Sequence, residues 1–194
     1  MSMLGFNQSR RETHIPGEAG VWVFIMGDML IFGLFFAVFA YYHAQAPLIF
    51  AESQALLNKH YGALNTLILL TSSWFVVMAV QAARRSDRRL SFWCFAAAWL
   101  CGAAFSTVKV IEYSEKINAG IYMTSNDFFM YYYIFTGLHF LHVVIGMFLL
   151  GFVLLKLKGP ERNGELSFFE VAASYWHMVD VLWIILFPLI YLMQ

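Results

Sequence analysis

The chain has 194 residues, of which 61% are hydrophobic, 19% aromatic and only 12% charged, with a formal net charge of zero. Such a composition excludes an ordinary soluble domain and marks a membrane protein. Balanced charge gives no case for a nucleic-acid partner or an acidic substrate, so what matters is where each charge sits.

In chain order, residues 1–19 read as a polar cytoplasmic segment and residues 20–194 as one transmembrane domain. Crossing about 30 Å of hydrocarbon takes about 20 helical residues. Apolar runs of that length lie near 20–43, 63–83, 91–112, 128–155 and 168–192. They predict an all-α bundle of five transmembrane helices, because lipid leaves isolated backbone groups unpartnered and the runs lack the alternation of barrel strands. Ala44-Gln45-Ala46 resembles a signal-peptidase site. The run before it is too long for a signal sequence and carries Asp28, so it is read as the first span.

Short polar connections are expected at Gln45 to Tyr61, Arg84 to Arg89, Glu115 to Asp127 and Lys156 to Ser167. Arg10, Arg11, Arg84, Arg85, Arg88, Arg89, Lys156, Lys158 and Arg162 then share one side, against Lys59 and Lys116 on the other. By the positive-inside rule the N-terminus is cytoplasmic. Cys94 and Cys101 stand seven apart on one helix, about 10 Å along its axis, too far for a disulfide. No zinc spacing, phosphate loop or internal repeat occurs, and no nucleophile stands in a recognisable setting.

Ionisable residues inside the spans carry the functional information, since each costs a few kcal/mol or more unless it faces protein, water or a partner. Asp28 lies about 12 Å into the first helix. It suits either a carboxyl that locks helix packing beside Gly27 and Gly33 or an acid that exchanges protons. His139 and His142, three apart, share a face of the fourth helix; His177 and Asp180 do so on the fifth, with Glu170 two turns earlier. Lys109 and Glu112 near the end of the third helix are expected to pair while snorkelling to the interface. Three histidines and a carboxylate are metal-ligand types. A di-metal bundle, however, would want Glu-x-x-His on more than one helix, and a haem would want histidines at matching depths on paired helices. A buried imidazole–carboxylate network holding helices together is the expected role, with no metal site and no catalytic residue.

Tyr175-Trp176-His177-Met178-Val179-Asp180-Val181-Leu182-Trp183 resembles YWHFVDVVW, and Thr136-Gly137-Leu138-His139-Phe140-Leu141-His142-Val143-Val144-Ile145-Gly146 resembles TGxHxxHVxxG. Both are signatures of subunit III of the haem-copper oxidases. Leu64-Asn65-Thr66, Glu112-Tyr113 and Gly27-Asp28-Met29-Leu30-Ile31-Phe32 extend the similarity across roughly residues 14 to 193. The resemblance implies an accessory subunit that carries no haem or copper, packs against catalytic subunit I, binds membrane phospholipid and sustains proton uptake and turnover stability. Haem and copper, or non-haem iron, are then expected only in the partner. Asp28 matches the family's carbodiimide-reactive intramembrane carboxylate. The two N-terminal helices of seven-helix members are missing, so their lipid-filled cleft is not carried over. Among five-helix bacterial members, residues 14–20 and 64–85 are most similar to the NorE type linked to nitric oxide reductase.

The expectation is a non-catalytic, multi-pass subunit of a terminal oxidase or nitric oxide reductase in the bacterial inner (plasma) membrane. In it Asp28 and the His139–His142 and His177–Asp180 faces form one polar network. A small transporter and a stand-alone haem or metal protein are the competing classes. Five spans do not divide into inverted halves, which counts against the transporter.

Overall fold

All five apolar runs fold into long α-helices, and each is longer than its hydrophobic run. The computed structural model describes residues 19–160 and 164–193. The helices are α1 (Ala19–Gln45), α2 (Pro47–Ala55), α3 (Lys59–Arg84), α4 (Arg88–Asn118), α5 (Asp127–Lys158) and α6 (Glu165–Tyr191). All but α2 are long and apolar enough to cross a membrane, and the described residues contain no strand. The cytoplasmic segment read over residues 1–19 lies almost wholly outside the described residues.

Local chemistry sets the boundaries. Asn58, Asp87 and Asn126 each accept a backbone N–H of the first turn that follows, from His60 at 3.0 Å, Leu90 at 3.0 Å and Phe129 at 2.9 Å. Pro47 opens α2, where its missing N–H costs nothing. Beyond α4, Gly120 adopts a left-handed φ of 76° that a side chain would oppose.

Two elements correct the sequence reading. The Gln45 to Tyr61 connection contains α2, which packs Phe50 onto Phe39 and Phe128 and ties Gln54 Nε2 to the Ile190 carbonyl at 2.8 Å. The third span continues past Glu112 to Asn118, because its polar last turns find partners: Tyr61 donates to Glu115 at 2.8 Å and Lys116 to the Leu56 carbonyl.

Helices α3 to α6 pack around one another, α3 against α4 and α6, and α5 against α4 and α6. Trp176 and Trp183 of α6 are fully buried at their centre. α1 lies outside this group, against α6 and α2. Aromatic side chains bridge it to α5, with Phe35 and Phe36 each 5.9 Å from Phe135 and Phe39 5.7 Å from Tyr131. Most of its large apolar side chains point outward, as a lipid-facing helix requires.

Candidate functional site: polar clusters inside the bundle

The buried ionisable residues do not meet at one point. They form clusters at different levels of the bundle, each joining two or more helices.

The outermost pair is Asp28 with His142, joining α1 to α5. His142 Nδ1 lies 2.8 Å from the Leu138 carbonyl, which only accepts, so Nδ1 carries a hydrogen. Its Nε2 lies 3.2 Å from Asp28 Oδ2. A contact between ring nitrogen and carboxyl oxygen holds one proton, giving either imidazolium with carboxylate or imidazole with carboxylic acid. Both side chains are slightly exposed, at 13% and 16%. Phe32 packs edge-on against the imidazole at 5.6 Å.

His139, one turn away, points elsewhere and is fully buried. Its Nε2 faces the Val179 carbonyl at 3.0 Å, and its ring lies against Phe105 and Trp183. On α6, His177 Nδ1 lies 2.7 Å from Ser73 Oγ of α3 and 3.9 Å from Asp180 Oδ2. Asp180 is buried, with the Ser73 hydroxyl and the His177 ring as its polar neighbours.

Two ion pairs close the basic end. Arg84 bonds Glu170 through Nη2 at 2.8 Å and Nε at 3.0 Å, tying α3 to α6. Arg88 Nη1 lies 3.0 Å from Glu165, while its Nη2 donates to the Lys156 and Gly159 carbonyls at 3.0 and 3.1 Å. One guanidinium thereby satisfies the open C-terminal carbonyls of α5 and the acidic first turn of α6.

Toward the other end, Lys109 Nζ is 3.0 Å from Glu112 Oε2 and 3.1 Å from Tyr191 Oη, which donates to Glu112 Oε1 at 2.6 Å. Rings of Tyr113, Tyr132 and Trp183 each stand 5.2 Å from the ammonium. The expected pair forms, but it does not snorkel. Both side chains are fully enclosed, because α4 runs on beyond them and α6 brings Tyr191 across as a lid.

Residues 14–194 match the family described as Cytochrome c oxidase subunit III. The chain belongs to that family. In this subunit III, similarity reaches named relatives over nearly its whole length. Cytochrome c oxidase subunit 3 of Synechocystis sp. (strain ATCC 27184 / PCC 6803 / Kazusa) is 31% identical, covering 100% of this chain and 88% of the relative. The protein of the same name from Thermostichus vulcanus is 34% identical, covering 90% and 86%. Heme-copper oxidase subunit I+III of Aeropyrum pernix is 27% identical, covering 90% of this chain but 22% of that polypeptide.

Within this subunit III the residues singled out by sequence are thus brought together in part. Asp28 meets His142, His177 approaches Asp180, and Lys109 meets Glu112, while Glu170 pairs with Arg84 rather than with the other candidates. The single network is corrected to separate clusters, because positions three apart on a helix differ by about 60° in direction. That angle turns His139 toward α6 and His142 toward α1. Among the described residues no three His, Cys, Asp or Glu side chains gather as a metal set.

Sequence reading missed Ser73, Tyr191, Arg84 and Arg88 as partners. A signal existed for the two arginines. Alternating helix direction places the end of α3 and the start of α6 on one side, where Arg84 and Arg88 find Glu170 and Glu165.

Proposed function

We propose that this chain is the non-catalytic accessory subunit of a bacterial haem-copper respiratory oxidase, seated against catalytic subunit I in the inner membrane with its N-terminus in the cytoplasm. The observation that carries this reading is the relative whose name joins subunits I and III. Most of this chain aligns with a small share of that polypeptide, as expected where one part corresponds to this chain. The internal geometry supports the same reading. His139, His142 and His177 are each held by a group of this chain, at different places, an arrangement suited to fastening helices. Haem and copper then belong to the partner. The ring of basic side chains where Arg84 and Arg88 bind α6 supports the orientation.

Within that complex the subunit supports assembly and stability, and the Asp28–His142 pair exchanges protons at the edge of the bundle. A second reading pairs the subunit with nitric oxide reductase. It rests on the similarity of residues 64–85, and of 14–20, to that type.

One experiment tests these readings. The chain is tagged and purified in a gentle detergent, and its companions are identified. Co-purifying subunit I, a haem spectrum of that partner and oxygen consumption are expected. Nitric oxide consumption would move the assignment to the reductase. A Soret band or bound metal in the chain isolated from its companions would overturn the accessory role.

A further inference from the structure

Between α1 and α3 the outer side of α6 forms the floor of a furrow. Toward α3 it opens into a groove of about 220 Å³ lined by Gln81, Arg84 and Glu170, and toward α1 into one of about 400 Å³ lined by Trp22, Met26 and Val181. Ser174 and His177 border both. Glu170, Ser174, His177 and Val181 stand at positions i, i+4, i+7 and i+11, a stripe about 16 Å long on one helix face. Ser174 keeps that stripe low, because its hydroxyl turns back onto the Glu170 carbonyl at 2.9 Å.

His177 is the odd member of this surface. It stands twelve residues beyond Glu165, about 18 Å along α6 and deep in the hydrocarbon, yet its side chain is 35% exposed. Its Nδ1 is held by the Ser73 hydroxyl at 2.7 Å, and among the described residues its Nε2 has no hydrogen-bond partner. The character of that open edge is set from behind. With Asp180 ionised, Ser73 donates to the carboxylate and accepts from Nδ1, which leaves Nε2 an acceptor; with Asp180 protonated the direction reverses and Nε2 donates. Lipid answers neither state, since acyl chains carry no hydrogen-bonding group and phospholipid head groups stay at the bilayer surface.

We infer that this furrow seats a transmembrane helix of the catalytic subunit, lying along Ser174, His177 and Val181 with a hydroxyl side chain bonded to His177 Nε2. A hydroxyl both donates and accepts, so it fits the imidazole in either state. The stripe has the spacing of a helix-in-groove contact, and a small residue such as Ser174 lets two helix backbones approach. The inference rests on the accessory reading above and adds to it the face of contact.

The test uses the full chain in native membranes and in the complex purified from them. A photoreactive phenylalanine analogue is placed at Val181 in the furrow or at Phe148 on the outer face of α5, both of them exposed. Val181 should crosslink to the haem-bearing subunit and Phe148 should not. In the purified complex His177→Leu should lower the amount of that subunit retained per chain about fivefold, His177→Gln should recover part of it, and Ser174→Leu, which raises the floor, should lower it as well. Abundance of the chain in membranes shows whether each variant folds, and the crosslinks, made with His177 intact, decide the matter where one does not. Crosslinking from Phe148 but not Val181, with the haem-bearing subunit still co-purifying, would overturn this face and leave the accessory reading standing. Crosslinking of Val181 to lipid alone or to a second copy of this chain would overturn it too. Absence of any co-purifying companion would overturn the accessory reading, and this face with it.

Discussion

A Cβ placed on Gly146 of α5 would stand 2.7 Å from Cε3 of Trp176 on α6, and one on Gly102 of α4 would stand 2.8 Å from Cη2 of the same indole. Trp176 is therefore wedged between two helix backbones, with its Nε1 donating to Ser72 Oγ of α3 at 3.1 Å. The whole four-helix packing converges on one side chain.

Gly146→Ala and Gly102→Ala should each destabilise the subunit by about 1–3 kcal/mol through overpacking. Gly137→Ala, at a position with nothing within 4 Å of the added carbon, should be neutral or slightly stabilising. Thermal unfolding of the three variants, followed by intrinsic tryptophan fluorescence, gives the ranking. Equal effects at all three sites would remove Trp176 as the wedge.

Trp176→Phe should cost about 2–4 kcal/mol, since it both empties volume beside the two glycines and releases the Ser72 hydroxyl. Combined with Gly146→Ala the loss should be less than additive, because the added methyl occupies space the indole has left. A double-mutant cycle on unfolding free energy reads this directly.

Lys109 and Glu112 form an ion pair with no exposed atom, so removing one member leaves a charge without its partner in the protein interior. Lys109→Met or Glu112→Gln alone should cost about 3–5 kcal/mol, while the double replacement should recover a large part of that. Expression in membranes and denaturant unfolding of the three variants give the comparison. A double variant worse than the sum of its singles would contradict the pairing.

The Asp28–His142 contact is an interhelical hydrogen bond at the bundle edge, a class that contributes about 1 kcal/mol. Asp28→Asn should therefore leave assembly intact, yet lower proton-linked turnover and shorten the working lifetime of the complex. If both stay at wild-type values the pair serves packing only. Carbodiimide labelling should occur at Asp28 and disappear in the asparagine variant.

Element identity was legible in the sequence because a bilayer removes alternatives: a long apolar run has to be a helix, and each of the five is found. The short α2 was not legible, because nine residues opened by a proline read as a connection until Phe50 and Gln54 are seen docked on the bundle end. Spacing of three correctly joined Lys109 to Glu112 and brought His177 toward Asp180, since those pairs lie along one helix. It could not give the partner across a helix interface. His139 and His142 satisfy the same spacing rule, but they face Val179 on α6 and Asp28 on α1. The choice is made by how far each neighbouring helix is rotated, which depends on side chains distant in sequence such as Trp176 and Phe135.

The loose attachment of α1 bears on how the subunit is built. α3, α4, α5 and α6 satisfy one another through Trp176, Arg84, Arg88 and Tyr191 without help from the first helix. α1 adds ring contacts with α5, α6 and α2 and the Asp28–His142 tie. In a membrane, where helices insert before they associate, the order of assembly then runs against the order of synthesis. Of the described helices, α1 is made before the others and finds its seat after them, and pulling on a single molecule from the α1 side should detach α1 at lower force than any later helix.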